Sequence, residues 1–153
     1  MQLGLVLEKN LHGRLLGVTS HQLLLHPSIT HTSQNRCACI LLEADSNTRR
    51  DIELLCRQSL LRGCAPGSDP GFALAPWSHV DLAIIEWGNL AKKSVLQRQE
   101  ALRLARKFDI SIAGFTGSGL GVIGALAAVG LCYDGNDGHY LWLPGLMDLK
   151  GIL

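Results

Sequence analysis

The sequence predicts an α+β protein arranged as a ferredoxin-like split βαβ sandwich. Apolar residues make up 47% of the 153 positions and charged residues 18%, a balance typical of a folded domain with a sizeable core. Segments with helical periodicity alternate with short apolar runs along residues 37–143. That alternation predicts helices over one face of a mostly antiparallel sheet, followed by an extra glycine turn, helix and strand at the C-terminal end.

Residues 1–36 are predicted to form an N-terminal extension made of a β-hairpin and a loop. Apolar runs at residues 3–7 and 15–18 flank a polar stretch, which is the order expected of two paired strands joined by a turn. Pro27 disfavours helix at the residue before it, and the polar residues that follow indicate a loop. The ferredoxin-like domain is then expected to cover residues 37–153.

The elements of this main domain follow from apolar runs, helix caps and turn residues. Residues 45–48 offer N-cap side chains to the first helix, and Gly63 ends it. The second helix carries a narrow apolar stripe, with Arg98 on the side that faces water. In chain order, the predicted elements are a strand at residues 37–43, a helix at 49–62, strands at 71–75 and 80–87, a helix at about 90–108, a strand at 110–115, a helix at 122–129 and a strand at 139–143.

The strongest local pattern is at residues 110–130, which predict a strand, a glycine turn and a helix. Glycines allow a sharp turn and a close approach to a ligand, and a helix that starts there directs free N–H groups at it. Gly119, Gly121 and Gly124 also match the G-x-G-x-x-G dinucleotide fingerprint. Too few strands remain for a dinucleotide-binding fold, so close packing of the helix on the sheet is the favoured interpretation.

A second turn, at residues 67–71, contains a carboxylate. Asp69 before a proline is ordinary turn chemistry, and residue types alone favour that role. The alternative is a fixed carboxylate that pairs with a guanidinium or an amine, assisted by the ring face of Trp77 or Trp87.

Neither a metal nor a cofactor is predicted. His26, His31, Cys37 and Cys39 lie close in sequence, but their spacing matches no standard zinc pattern, and core thiols are the favoured interpretation. A net charge of +1 and 5% aromatic residues disfavour a nucleic-acid surface. The longest apolar block is too short to span a membrane and the first residues lack the features of a signal peptide, so a cytoplasmic location is expected.

Two stretches resemble the archaeal tRNA-isoleucine agmatinylcytidine synthetase family, TiaS. The sequence GSGLGVIGALAAVG at residues 117–130, followed by NDGHY at 136–140, is similar to a block of that family, and GSDPGFAL at 67–74 is similar to the start of one of its strands. The resemblance covers about residues 37–143 and implies the family's ferredoxin-like domain, which is associated with binding agmatine, a guanidino amine. The acidic kinase-like segment, the OB-fold and the zinc ribbon of the family have no counterpart here, so tRNA modification by this chain alone is not implied.

With this resemblance, the leading expectation is a stand-alone domain that binds a guanidino or amine compound, either by itself or as a subunit of a larger enzyme. The ligand would lie between residues 67–71 and 116–121, where a carboxylate would pair with the cation, and backbone N–H groups and hydroxyls would bind a polar group. The expected contact residues are Ser68, Asp69, Thr116, Gly117, Ser118, Gly119 and Gly121.

Two other functions stay open from the sequence. One is a small enzyme acting on a guanidino, amide or phosphorylated compound, in which Thr116, Ser118 or a histidine takes part. The other is a structural or assembly subunit without a ligand of its own. A homodimer or a place in a larger complex is expected, whereas a membrane, or tRNA bound by this chain alone, is not.

Overall fold

The computed structural model describes residues 2–11, 13–29, 34–115 and 117–144. Within them, helices and strands follow one another from end to end, with short 3-10 turns at Ser46–Thr48 and Trp77–His79. In chain order, the elements are α1 (Gln2–Leu11), β1 (Arg14–Gln22), β2 (Arg36–Glu43), α2 (Arg49–Gly63), β3 (Gly71–Leu74), α3 (Leu82–Ala91), α4 (Arg98–Lys107), β4 (Ser111–Gly114), α5 (Gly121–Asp134) and β5 (His139–Trp142).

The strands form two antiparallel sheets. The first has the order β2-β1-β5, and its central pair runs from Arg14 opposite Glu43 to Gln22 opposite Arg36. The second pairs β3 with β4, and Gly71 lies opposite Gly114. Antiparallel sheets packed with helices confirm the predicted α+β class and are consistent with a ferredoxin-like domain.

The predicted N-terminal hairpin is wrong. Residues 3–7 belong to helix α1, and β1 pairs with β2 instead. Leu3 and Leu7 are four residues apart, so both reach one face of a helix, where they pack with Ile52 and Cys56 of α2. Since β1 and β2 lie on either side of the predicted boundary between residues 36 and 37, the division into an extension and a domain stays a prediction.

The predicted strand at residues 80–87 is also wrong, because those residues begin helix α3. Asp81 caps this helix, and its Oδ1 accepts a hydrogen bond from the Ala83 N–H at 3.0 Å. The buried residues of α3 recur at helical spacing. Because they lie in an apolar run, this spacing did not stand out in the sequence. They are Ile84, Trp87, Gly88 and Ala91. The predicted long second helix is correspondingly shorter, since α4 begins only at Arg98.

Helix α5 is the centre of the fold, because it contacts both sheets as well as α3 and α4. Val122, Leu126 and Leu131 on this helix are completely buried. A Cβ on Gly130 would overlap the carbonyl oxygen of Ile84, so glycine is required where α5 crosses α3. Among the helices that the structure describes, none combines the length and the apolar character needed to cross a membrane.

Candidate functional site

The two turns singled out by the sequence meet at the side chain of Asp69. From residues 117–120, which we call the glycine turn, the Ser118 hydroxyl donates to Asp69 Oδ2 at 2.6 Å. The N–H groups of Gly119 and Leu120 donate to the same carboxylate at 3.2 and 3.0 Å. Asp69 therefore caps the start of α5 from a distant part of the chain and places its negative charge at the positive end of the helix.

Backbone contact brings the turns this close. A Cβ on Gly71 would overlap the carbonyl group of Gly121, and a Cβ on Gly121 would overlap the carbonyl oxygen of Asp69. Gly117 and Gly119 have φ angles of 61° and 71°, which residues with side chains adopt only with strain. The glycines of this sequence therefore fix the geometry between β3 and α5.

The structure brings most of the predicted contact residues together. Ser68 and Asp69 lie on one side, and Gly117, Ser118 and Gly119 lie on the other, within contact of the Asp69 carboxylate. Ser68 and Gly121 line the cleft described below, and the Ser68 hydroxyl donates to the Ala65 carbonyl at 2.6 Å. Thr116 lies outside the described residues. Ligand binding by this set stays a prediction.

A cleft of about 660 Å³ opens beside Asp69, a volume typical of small-molecule sites. We call it the central cleft. Its walls come mainly from β2, β3 and α5 and are largely apolar. Among the described residues that line it, Asp69 is the one carboxylate and Arg36 the one cationic side chain.

An aromatic pair also lines the central cleft. The rings of Trp77 and Tyr133 lie with their centroids 4.4 Å apart, and Trp77 is 59% exposed. Of the two tryptophans considered from the sequence, Trp77 therefore offers a ring to a ligand. Trp87 is a core residue instead, buried to 6% exposure with its indole N–H donating to the Ile123 carbonyl at 3.2 Å.

Arg98 lies beside the glycine turn, where sequence reasoning had not placed it. A Cβ on Gly119 would lie 2.8 Å from Arg98 Nε, and this nitrogen is buried without a hydrogen-bond partner among the described residues. The prediction that Arg98 faces water is therefore wrong for this part of the side chain. No sequence pattern indicated this contact, because Arg98 and Gly119 belong to different elements and are far apart in the chain.

A second polar cluster lies around the completely buried His21 on β1. Its Nδ1 is 2.9 Å from Asp137 Oδ2, and its Nε2 is 2.9 Å from the Thr19 hydroxyl. Lys92 pairs with the other oxygen of Asp137. Burial lowers the pKa of His21, so this imidazole is neutral at pH 7. No sequence pattern indicated this cluster, since His21 and Asp137 are 116 positions apart.

The buried imidazole predicts a loss of stability in acid. Because the pKa of His21 is lowered from 6.5 on folding, the unfolded chain binds this proton more readily. We expect the free energy of unfolding to fall as the pH drops below 6.5, by at most about 1.4 kcal/mol per pH unit. Urea titrations between pH 5 and pH 8 measure how the free energy of unfolding depends on pH. NMR of the folded protein measures the titration of the His21 imidazole separately from that of the other histidines. A titration of His21 at or above 6.5 in the folded protein contradicts the prediction.

Asp69 is expected to stabilise the fold as the cap of α5. Replacing it with alanine leaves the Gly119 and Leu120 N–H groups without their acceptor, so Asp69→Ala should cost about 2 kcal/mol. Ser118→Ala is the matched control, because it removes only one hydrogen bond and should cost about 1 kcal/mol or less. Equal losses in the two variants, measured by urea unfolding, contradict a capping role.

Among the described residues, no three histidine, cysteine, aspartate or glutamate side chains are grouped so that they could bind a metal ion.

Comparison with known proteins shows that this chain is similar to several solved structures. No protein-family profile and no curated protein matches the chain. A tRNA fluorescent labeling enzyme is 26% identical with a TM-score of 0.68, and the match covers 84% of this chain and 31% of that one. Apo TiaS, an isoleucine-tRNA agmatidine synthetase, is 25% identical with a TM-score of 0.65, covering 84% and 31%. A TiaS complex with its isoleucine tRNA, AMPCPP and agmatine is 25% identical with a TM-score of 0.67, covering 84% and 30%.

The chain thus has a TiaS-like fold and spans less than a third of the length of these structures. This confirms the resemblance found in the sequence as far as the fold is concerned. Equivalence to the family's agmatine-binding domain stays a prediction.

Proposed function

We propose that this TiaS-like domain binds a small guanidino or amine compound in the central cleft, next to Asp69. Similarity to TiaS supports a ligand- or RNA-related enzyme domain, and one of the similar structures contains agmatine. The observation that carries the proposal is the placement of charge: among the described residues that line the largely apolar cleft, Asp69 is the one carboxylate and Arg36 the one cation.

The surroundings of Asp69 suit a cation on an alkyl chain. Three hydrogen bonds from the glycine turn fix the carboxylate in place, and an ionised carboxylate has about four acceptor sites, so one is left for a ligand. A guanidinium or ammonium group would pair with it through charge-assisted hydrogen bonds. Apolar walls would contact the methylene groups, and the exposed ring of Trp77 offers a cation–π contact to a second positive group.

Calorimetry with agmatine, arginine, guanidine and butylamine tests the proposal. We expect measurable heat with agmatine, and about tenfold weaker binding or more in Asp69→Asn, which keeps the shape of the side chain but removes its charge. Ser118→Ala is the control, because it keeps the carboxylate and should change affinity by about threefold at most.

Either of two results rejects this function. One is the absence of heat from all four compounds at millimolar concentration with folded protein. The other is equal affinity of Asp69→Asn and the unaltered protein for agmatine, since the cation would then lie elsewhere. Circular dichroism of each variant before the titration establishes that it is folded.

A second candidate is a domain that acts on RNA as part of a larger enzyme. It is favoured by the similarity to TiaS bound to its isoleucine tRNA, and by the fact that this chain spans less than a third of that protein. The expectation that tRNA is not a partner of this chain alone has no support from the comparison. A mobility-shift assay with tRNA tests whether this chain binds tRNA by itself. Light scattering tests the expected homodimer.

A further inference from the structure

The central cleft interrupts the layer of strands. Side chains of β2 alternate between two helices, since Ile40 packs in the cluster around α2 and Cys37 packs against the cluster that contains α5. In β3, Phe72 and Ala73 divide between the same two clusters. Residues of both helices line the cleft, so it lies in the strand layer, with α2 on one side and α5 on the other.

Strand edges border this cleft. It is lined by every residue at positions 36–42, which belong to β2, and 70–75, which contain β3. Because successive side chains of a strand point to opposite faces, a cleft that touches consecutive residues runs along the edge of that strand. Among the described residues, β2 pairs only with β1, and β3 pairs only with β4. The free edge of each strand therefore faces the cleft.

The hydrogen-bond pattern identifies the backbone groups on the free edge of β2. In an antiparallel pair, alternate residues bond to the partner strand, and the residues between them point away from it. The Leu23 N–H donates to the Asn35 carbonyl at 3.0 Å, and the register of β1 and β2 places these two residues opposite each other. Counted in twos from Asn35, residues 37 and 39 bond to β1. Ala38 and Ile40 therefore point away from β1.

Ala73 of β3 points away from β4 for the same reason. The Phe115 N–H donates to the Pro70 carbonyl at 3.4 Å, and the register of β3 and β4 places these two residues opposite each other. Counted in twos from Pro70, residues 72 and 74 bond to β4, and Ala73 between them does not. Within the described part of the chain, backbone groups without a strand partner thus border the cleft on both sides.

The sequence of β2 suits a strand that has a neighbour on each side. Residues 37–42 read CACILL, and neither a charged residue nor a proline interrupts them. Continuous apolar runs are typical of interior strands, whereas exposed edges usually carry charged residues or prolines. β2 therefore has the composition of an interior strand, although it lies at the edge of its sheet.

Charge at the cleft indicates which kind of strand would suit it. Arg36, the one cation among the described lining residues, is held over β1 by hydrogen bonds to Ser20 and Gln22, both at 3.3 Å. The Asp69 carboxylate lies two residues before β3 and is held by the glycine turn. An extended peptide that continues past the start of β3 meets this carboxylate, so a basic side chain is favoured there and an acidic one is disfavoured.

We propose that the central cleft binds an extended apolar peptide of another protein, which pairs with β2 on one side and β3 on the other and places an arginine or lysine at Asp69. The two sheets then become one, main-chain hydrogen bonds supply affinity, and the peptide's side chains alternate between α2 and α5. The basic residue rests on the proposed function, because it supplies the guanidinium or amine as a side chain. The strand pairing goes beyond that function.

The probe is the peptide Ac-RVTVIV-NH2, titrated by calorimetry into the full chain. We expect binding, and hydrogen exchange of the Ala38, Ile40 and Ala73 amides that is slower by about tenfold or more in NMR spectra of the complex. The same peptide N-methylated at its three valines keeps its side chains but lacks the N–H groups of one edge, so it should bind at least about tenfold more weakly. Ac-EVTVIV-NH2, with glutamate in place of arginine, should also bind about tenfold more weakly.

Ala38→Pro tests the edge of β2 in the protein itself. The Ala38 N–H points away from β1, so proline removes a donor that the fold does not use, and proline is tolerated on edge strands for this reason. We expect Ac-RVTVIV-NH2 to bind this variant about tenfold more weakly or worse. Ala38→Ser is the matched control, since it keeps the N–H at the same exposed position and should leave the affinity unchanged.

The proposal is overturned if the plain and the N-methylated peptides bind equally well, or if folded Ala38→Pro binds as tightly as Ala38→Ser. Binding only to a chain shortened after Pro144 also overturns it, because the chain's own last residues would then occupy the cleft. A dimer that the peptide dissociates, measured by light scattering, overturns it as well, because a second copy would then be the occupant.

Two results separate this inference from the proposed function. Heat from agmatine without binding of the peptide overturns the strand pairing and leaves the proposed function standing. Equal affinity for the arginine and the glutamate peptides is evidence against Asp69 as the cation site in both proposals.

Discussion

Replacing Gly130 with alanine is expected to destabilise the protein by about 3 kcal/mol. At this position, α5 crosses α3 with the two backbones in contact, and a Cβ would overlap the Ile84 carbonyl oxygen and lie 3.1 Å from Ile85 Cα. Backbone atoms cannot rotate aside as a side chain can, so the two helices must separate. The completely buried Leu126 and Leu131 lie on the same helix and would lose contacts with α3 in doing so.

Gly124→Ala is the matched control for this prediction. Gly124 lies on the same helix, and its Cβ would lie 3.3 Å from Leu23 Cδ1, which belongs to a side chain that can move, and 3.9 Å from Cys37 Cβ, an ordinary van der Waals distance. Alanine also favours helix over glycine by up to about 1 kcal/mol, so this variant should be neutral or slightly stabilised. Urea midpoints of the two variants measure the difference. A Gly130→Ala protein as stable as Gly124→Ala contradicts the described crossing.

Removing the Asp137 carboxylate is expected to cost about 2 kcal/mol. Asp137→Ala leaves the buried His21 Nδ1–H without its acceptor and Lys92 without its ion-pair partner. The side chains of Asp137 and Lys92 are 18% and 33% exposed, so water compensates part of the loss. Unfolding in urea at pH 7.5 measures the effect.

The neighbouring Asn136→Ala is the control, because Asn136 lies in the same turn and is exposed. It should change stability by about 0.5 kcal/mol or less. A double-mutant cycle with Lys92→Met then separates the ion pair from the hydrogen bond to His21. If Asp137→Ala is as mild as Asn136→Ala, the carboxylate does not orient the buried imidazole.

The elements that sequence reasoning placed well have strong local signals. Helix α2 is preceded by N-cap residue types and ends at Gly63, and α5 begins at Gly121, the last of three glycines in alternate positions. Elements without such signals were misassigned. An apolar run such as residues 3–7 suits a strand as well as a helix face, and only its contacts with α2 decide between them.

The part of the candidate site around Asp69 was predictable, because turn residues in the sequence mark both of its sides. Asp69 and Ser118 could be expected to meet because each lies in a turn next to a short strand, and those strands pair. The cluster of Thr19, His21, Asp137 and Lys92 could not, because it joins β1 to the residue that follows α3 and to the turn after α5. A lone histidine in a strand carries no sign of such a partner, since the contact depends on the tertiary fold.

The contact between Gly71 and Gly121 couples two positions that are far apart in the chain. A side chain at either one would strike the main chain of the other, so neither can be substituted while its counterpart keeps its place. The two positions therefore have to be glycine together for the two turns to make this contact. A chain with Pro-Gly opening a short strand and a glycine opening the later apolar helix meets that steric requirement, even where the intervening residues have diverged beyond recognition.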